Sequence, residues 1–506
     1  MRQLAGFSGS AHAEALVERR ALDGSLLHGV AWTAGAKWLA QGSMWIAWLV
    51  VARLLSPADY GLVGMAAVYL GLITLLSEFG LGTAVLAVRD LTEAQLDQLN
   101  GLSVLLGLGS MLVSWAAAVP LGRFFDAPEL PLVVVAMSTT FLITSFKTVP
   151  LALLQRDLRF RDLALIDLGQ ALVLAVGMVA LAAAGLRYWT LVGGAVLSAL
   201  LSTAAVLRLR SRALVWPRPG ALKSAMTLSF DVVMARLCWY ASTSADALVA
   251  GRFLGPAALG LYNVGATLAN VAIQRVAALV GQVTPAYFAA VQDDRAAVRR
   301  YVLRITEGLA LITFPASVGL ALVARDLVLV LLGPKWAGAI APLQLLAAYA
   351  TVRSITPLLP QVLMMMRDSR FEVWRMLAAA LVLPPCFYFG AERWGVAGLA
   401  TAWVVVDPVF LLVLYRRVFA RIELSASEYL RALRPALNGT AVMAGAVITA
   451  GALCGTDADS AVRLATQVAA GVVAYALACR LLHWGRLVAF RELMASARLG
   501  RARIGE

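Results

Sequence analysis

Apolar runs of about 20 residues follow one another along nearly the whole 506-residue chain, with short connections between them. A helix of that length spans a hydrocarbon core of about 30 Å. The runs lack the alternation of barrel strands, and lipid tolerates no unpaired backbone, so the sequence predicts an all-α polytopic membrane protein. We expect about fourteen transmembrane helices, over 27–52, 60–86, 99–121, 130–153, 164–185, 188–207, 224–251, 258–288, 302–323, 339–365, 373–391, 396–415, 434–454 and 462–481.

Composition and charge agree with this class. Hydrophobic residues make up 61% of the chain and charged residues 14%, against roughly 45–50% and 25% in soluble domains. The net charge is +14, and the basic residues are unevenly distributed among the loops. Most Lys and Arg lie in the termini and in the connections after even-numbered spans. The positive-inside rule then predicts that both termini are cytoplasmic. The basic balance suits membrane lipid headgroups, and we predict no nucleic-acid partner.

The chain carries an internal duplication. RLLSPADYGL at Arg53–Leu62 recurs as RFLGPAALGL at Arg252–Leu261, 199 residues later (252 − 53 = 199). RDLRF after span four likewise returns as RDSRF after span ten, and WTLVG at the start of span six matches WGVAG at the start of span twelve. Six spans per copy give both copies the same orientation, so we expect two pseudo-symmetric six-helix lobes around a central cavity, plus two extra C-terminal helices.

This arrangement predicts the domain boundaries. We expect a cytoplasmic N-terminal segment at 1–24, with no cleavable signal peptide. The N-lobe then covers 25–207, a basic cytoplasmic linker 208–223, the C-lobe 224–418, an amphipathic segment with spans thirteen and fourteen 419–482, and a basic cytoplasmic tail 483–506. Two lobes that rock about a midplane site are typical of transporters that work by alternating access.

Cations inside the predicted spans are the first candidate site residues. Lys37 and Arg236 are also 199 residues apart (236 − 37 = 199) and fall near the middle of spans one and seven. A cation in lipid costs about 2.5–3.5 kcal/mol, so a hydrated interior is expected around each. Arg275, Arg353 and Lys147 complete a predicted cationic lumen for an anionic headgroup. The alternative is structural, with Arg236 paired to Asp231 and the others serving helix packing.

Acids inside the spans are candidates for coupling transport to a proton or sodium gradient. They are Glu78, Asp231, Asp246, Glu307 and Asp407. Ordinary pairing is the alternative, since Arg304 lies three residues before Glu307 on one helix face. No catalytic, metal or cofactor site is predicted, because the cysteines and histidines are scattered and no nucleotide or hydrolase motif has a supporting strand and helix.

Several motifs resemble the polysaccharide transporter family, the Wzx-type oligosaccharide flippases. They are RLLSPADYGL after span one, QRDLRF after span four, VTPAYFAAVQDD from Val283 to Asp294, and LLGPKWAGAIAPLQLLA from Leu331 to Ala347. The family belongs to the multidrug/oligosaccharidyl-lipid/polysaccharide exporter (MOP) superfamily, together with MATE drug antiporters and the peptidoglycan-precursor flippase. The resemblance covers nearly the whole chain.

The resemblance implies a bacterial inner-membrane flippase for undecaprenyl-pyrophosphate-linked oligosaccharides in O-antigen, capsule or exopolysaccharide assembly. A polysaccharide polymerase and export complex are the implied protein partners. The family's cationic cavity is matched here by Lys37 and Arg236.

Three other functions stay open. A MATE-like drug antiporter would favour acidic cavity residues, whereas the predicted lumen is basic. A membrane polymerase or acyltransferase would be an enzyme, but polymerases usually carry a large outward loop and every outward loop here is short. A scaffold would use the basic cytoplasmic loops as docking sites. The sequence favours the transporter over the enzyme.

Overall fold

The computed structural model describes residues 35, 37–78, 81–88, 91–157, 159–217, 240, 243–271, 294–366, 368–455 and 459–503. These residues form helices and contain no strand, which confirms the all-α fold. Among them are nine helices long and apolar enough to cross a membrane. Large apolar side chains such as Leu381 and Leu453 are 76% and 88% exposed, as expected for residues that face lipid.

The chain separates into two compact units. The first contains the described residues of 1–55, 69–122 and 128–237, and the second those of 56–68, 123–127 and 238–506. The short segment 56–68, which carries most of the first repeated motif, thus belongs to the second unit. The lobe and linker boundaries predicted from the sequence stay a prediction.

The first unit is built from helices α1 to α7, except that residues 57–68 of α2 and 123–125 of α4 belong to the second unit. Their bounds are 37–54 for α1, Pro57–Glu78 for α2, Leu81–Ala87 for α3, Glu93–Phe125 for α4, Leu130–Arg156 for α5, Phe160–Ala183 for α6 and Trp189–Leu209 for α7. Helix α5 packs against α3 and α7, and α7 also packs against α6. Leu81, Leu99 and Leu153 are buried where α3, α4 and α5 meet.

The second unit contains helices α8 to α15. Helices α8 (243–249) and α9 (255–271) are joined by a π-helical turn at Ala250–Leu254. The others are α10 (Arg295–Leu331), α11 (Ile340–Arg353), α12 (Leu358–Met365), α13 (Ser369–Ile422), α14 (Ala426–Cys454) and α15 (Ser460–Arg503). Helix α10 packs against α11, α14 and α15, and its core includes Val302, Phe314 and Leu358.

Helix starts follow from capping residues. At α2, Pro57 takes the first helical position while the Asp59 carboxylate accepts from the Ser56 amide at 2.9 Å and the Ser56 hydroxyl at 2.6 Å. At the starts of α10 and α14, the side chains of Asp294 and Ser425 accept hydrogen bonds from the backbone amides three residues later. Each such cap stabilises its helix by about 1 kcal/mol.

Helix α13 is a hairpin of two helices. Gly395 has φ +56° and ψ −134°, which is not helical. A Cβ placed on Gly390 would lie 2.5 Å from the Gly398 carbonyl oxygen, although eight residues of straight helix would separate these glycines by about 12 Å. The chain therefore doubles back here, within the predicted connection between the eleventh and twelfth spans.

The predicted span 339–365 is divided in two. Helix α11 ends at Arg353 and α12 begins at Leu358. Pro357 has no amide hydrogen, and its ring excludes the carbonyl of Arg353 from a helical bond. The sequence prediction of one continuous span at this place was wrong, although Pro357 marks the break.

Candidate functional site

Polar side chains line a cavity inside the first unit. It has a volume of about 620 Å³, within the range of small-molecule sites. Helix α5 contributes most of the wall, and α2, α3 and α4 contribute the rest. The lining residues are Thr74, Ser77, Gly82, Thr83, Leu86, Gly107, Thr140, Phe141, Thr144, Ser145, Lys147, Thr148, Leu151, Ala152 and Gln155.

The wall follows from the spacing of threonines on α5. Thr140, Thr144 and Thr148 recur every fourth residue, so they form one stripe along the helix. Gly107 lets α4 approach this stripe, because a Cβ there would lie 2.6 Å from the Cβ of Ser145. A polar stripe within an apolar spanning helix marks a surface that does not face lipid.

Lys147 is the cation among the described lining residues. It is half-buried, and its Nζ donates to the Ser202 hydroxyl of α7 at 2.5 Å. Ser202 is buried and donates in turn to the Ala199 carbonyl. The ammonium is therefore anchored at one wall of the cavity, where it can attract an anion.

A second polar group lies in the second unit around Asp246. The Asp246 carboxylate accepts from the Tyr262 hydroxyl at 2.5 Å and from the Trp403 indole at 2.9 Å. Tyr262 and Trp403 are 2% and 7% exposed. Arg353 lies over the Trp403 ring, 5.5 Å from its centroid, a distance at which a guanidinium is attracted to the ring face.

Asp407 joins this group through Tyr349 and Arg353. The Tyr349 hydroxyl donates to Asp407 Oδ2, and Arg353 interacts electrostatically with both Tyr262 and Tyr349. Helices α8, α9, α11 and α13 thus bring two acids, one arginine and three aromatic side chains together. We call these six residues, Asp246, Tyr262, Tyr349, Arg353, Trp403 and Asp407, the Asp246 cluster.

The predicted cations and acids that the structure describes lie in different surroundings. Lys147 lines the first-unit cavity and Arg353 belongs to the Asp246 cluster, whereas Lys37 is exposed in α1. Arg236, Arg275, Asp231 and the side chain of Glu78 lie outside the described residues. Glu307 is half-buried on α10, while Asp246 and Asp407 come together. The predicted common lumen stays a prediction.

Several polar residues escaped the sequence analysis. The threonine stripe of α5 was visible as a four-residue period, and this signal was not used. Tyr262 and Tyr349 gave no signal, because each is one tyrosine in an apolar helix until its carboxylate partner is known. Within the described part of the chain, no three His, Cys, Asp or Glu residues come together to hold a metal ion.

Outside the spans, the pKa values of Arg212 and Asp368 are shifted. The Glu93 carboxylate accepts a hydrogen bond that raises the pKa of Arg212, and this pair fastens residues 210–217 to the start of α4. Hydrogen bonds from Arg417 and Arg421 lower the pKa of Asp368 in the connection between α12 and α13. Both are stabilising contacts at helix ends and lie apart from the cavity.

Comparison with known proteins identifies the fold. A solved structure of the lipid II flippase MurJ in an inward closed conformation aligns over 90% of this chain and 99% of its own, with a TM-score of 0.74 and 11% identity. An inward-facing MATE-family transporter of the MOP superfamily aligns over 75% of this chain and 94% of its own, with a TM-score of 0.60 and 14% identity. At these identities the likeness concerns the fold alone.

The names of the sequence relatives refer to polysaccharide biosynthesis. The lipopolysaccharide biosynthesis protein WzxC of Escherichia coli (strain K12) is 25% identical over 405 residues, 76% of this chain and 80% of its own. The teichuronic acid biosynthesis protein TuaB of Bacillus subtilis (strain 168) is 25% identical over 419 residues, 79% and 83% of the two chains. A family model described as polysaccharide biosynthesis protein matches residues 50–341. With more than half of its length matched, this multi-pass membrane protein belongs to the polysaccharide biosynthesis protein family.

Proposed function

We propose that the protein is a flippase that moves undecaprenyl-pyrophosphate-linked oligosaccharides across the bacterial inner membrane by alternating access. The product would serve O-antigen, capsule or exopolysaccharide assembly, and both termini would be cytoplasmic. The single observation that carries the proposal is Lys147 in a polar cavity within an apolar membrane bundle. A drug antiporter for cationic compounds would place an anion there instead.

An anionic headgroup has to leave water to cross the bilayer. A fixed ammonium offsets part of that desolvation cost. Lys147 supplies this charge in the cavity. The proposal includes further cations of one lumen, namely Lys37, Arg236, Arg275 and Arg353.

The Asp246 cluster supports a second part of the proposal, in which transport is coupled to a proton or sodium gradient. Asp246 and Asp407 are half-buried carboxylates in an apolar unit. Tyr262 and Trp403 donate to Asp246, and Tyr349 donates to Asp407, so a change of proton or ion occupancy would rearrange these contacts. Glu78, Asp231 and Glu307 remain candidates for the same role.

Reconstitution in proteoliposomes tests the proposal. We expect wild type to translocate an undecaprenyl-pyrophosphate-linked oligosaccharide and Lys147→Met to lose most of that activity, because the anion loses its counter-charge. Arg123→Met removes an exposed cation at the end of α4 and should transport normally. Lys147→Arg should retain part of the activity.

Two results would contradict the proposal. One is a wild-type protein that translocates no lipid-linked oligosaccharide but exports a cationic dye, since that is the behaviour of a drug antiporter. The other is unchanged translocation by Lys147→Met. For the coupling step, Asp246→Asn should remove the dependence of transport on an imposed proton or sodium gradient while leaving downhill exchange measurable.

A further inference from the structure

Six of the seven hydroxyl groups that line the first-unit cavity share one hydrogen-bonding state, and the seventh is that of Thr83. Each of the six donates its hydrogen to a carbonyl of its own helix. Thr74 donates to Leu70 at 2.8 Å, Ser77 to Thr74 at 3.0 Å, Thr140 to Met137 at 2.6 Å, Thr144 to Thr140 at 2.7 Å, Ser145 to Leu142 at 2.7 Å and Thr148 to Thr144 at 3.2 Å.

A hydroxyl has one hydrogen and two lone pairs. While the hydrogen bonds to the backbone carbonyl, the oxygen accepts any further bond. The threonine wall of the cavity therefore offers hydrogen-bond acceptors to a ligand, and Lys147 adds a positive charge beside them. This pattern selects a ligand that donates hydrogen bonds along one side and carries negative charge at one end.

Phosphate and pyrophosphate oxygens are acceptors, so they would bind the threonines only if each hydroxyl gave up its bond to the backbone carbonyl. A bare cation would suit the acceptors but is repelled by Lys147. A sugar meets both requirements, because each of its hydroxyls is a donor. Its apolar C–H face also has partners in Phe141, Leu86 and Leu151 of the lining.

We propose that this cavity is a saccharide subsite, in which sugar hydroxyls donate to Thr140, Thr144 and Thr148 and an anionic group lies at Lys147. The inference rests on the proposed flippase function and makes it more specific. The anion at Lys147 is either the carboxylate of an acidic sugar or the pyrophosphate that follows the first sugar. The sugar itself, rather than the pyrophosphate, is recognised by the threonines.

Binding of lipid-free probes to the full chain in nanodiscs tests this subsite separately from transport. The probes are a neutral tetrasaccharide, a tetrasaccharide with a uronic acid, and inorganic pyrophosphate. The Thr144→Val/Thr148→Val variant keeps side-chain volume and removes two acceptors. We expect the affinity for both saccharides to fall by about tenfold or more, because two hydrogen bonds are lost. Pyrophosphate binding should stay unchanged.

Matched variants separate the contributions. Thr139→Val removes a hydroxyl on the same helix that bonds to Ala136 in the same way but lies outside the lining, so saccharide binding should stay at the wild-type value. Thr144→Ser/Thr148→Ser retains both acceptors and should recover most of the affinity. Lys147→Met should weaken the uronic-acid saccharide and pyrophosphate and leave the neutral saccharide unchanged.

The subsite is overturned if wild type binds neither saccharide, or if the valine variant binds both as wild type does. Translocation of lipid-linked oligosaccharide by wild type then still supports the flippase. Conversely, saccharide binding that depends on Thr144 and Thr148 in a protein without translocation keeps the subsite and removes the flippase. Thermal unfolding of each variant in the same nanodiscs verifies that it is folded.

Discussion

Gly61 and Gly260 contact each other at corresponding positions of the two sequence repeats (260 − 61 = 199). A Cβ on Gly260 would lie 3.0 Å from the Gly61 nitrogen and would collide with the Pro57 carbonyl, while a Cβ on Gly61 would lie 2.9 Å from Cα of Pro256 and collide with its carbonyl. Pro57 and Pro256 are themselves equivalent (256 − 57 = 199). The contact is reciprocal, so the glycine in each copy of the motif leaves space for the backbone of the other copy.

Gly61→Ala should destabilise the protein strongly, because the added methyl group meets backbone that cannot rotate away. Overpacking costs about 1–3 kcal/mol or more. Thermal unfolding in detergent measures it, and Gly260→Ala should behave alike. Gly109→Ala is the control, since nothing lies within 4 Å of a Cβ there. Equal stability of Gly61→Ala and Gly109→Ala would contradict the close contact.

Arg463→Met should loosen α15 from α10. Arg463 binds both oxygens of Asp326, whose side chain is 6% exposed, so the substitution leaves a buried carboxylate without its counter-charge. Thermal unfolding in detergent should report the loss. Arg325→Met, an exposed neighbour of Asp326, should have little effect. Asp326→Asn combined with Arg463→Met should restore part of the stability.

Asp368 should make stability depend on pH at the acidic end. Arg417 and Arg421 hold its pKa below the value of the unfolded chain, so its contribution is present above the unfolded pKa and is lost as the pH falls through the folded pKa. The melting temperatures of wild type and Asp368→Asn should differ at pH 7 and converge below about pH 4. A constant difference across this range would show that the carboxylate charge plays no part.

Tyr262→Phe and Trp403→Phe should each weaken the Asp246 cluster, because each removes one donor to the Asp246 carboxylate. An under-satisfied buried acceptor costs about 1–3 kcal/mol, measurable by unfolding in detergent. The double variant tests whether the two donors act together, and a loss equal to the sum of the two single losses would argue against coupling through a shared carboxylate. Phe387→Leu, a ring against Trp403 at 5.2 Å without a bond to Asp246, is the packing control.

Much of the fold follows from local sequence, whereas the sites depend on packing. Apolar length predicts the helices, and Ser56 and Asp294 mark two of their starts. Lys147 was predicted as a buried cation from its position alone. Asp246 and Trp403 are 157 residues apart, and no local pattern tells that they meet. Pro357 shows why hydropathy alone does not predict where a helix ends, since the apolar run continues across the break that this proline causes.

The hairpin at Gly395 limits where the protein can change shape. Gly390 and Gly398 approach backbone to backbone, and Gly395, with positive φ, lies at the reversal. Because this close approach ties the two arms of the hairpin together, we expect them to move as one body. Bending during a transport cycle is then expected at other places in the chain, and the break in helical hydrogen bonding at Pro357, between α11 and α12, is the first to test.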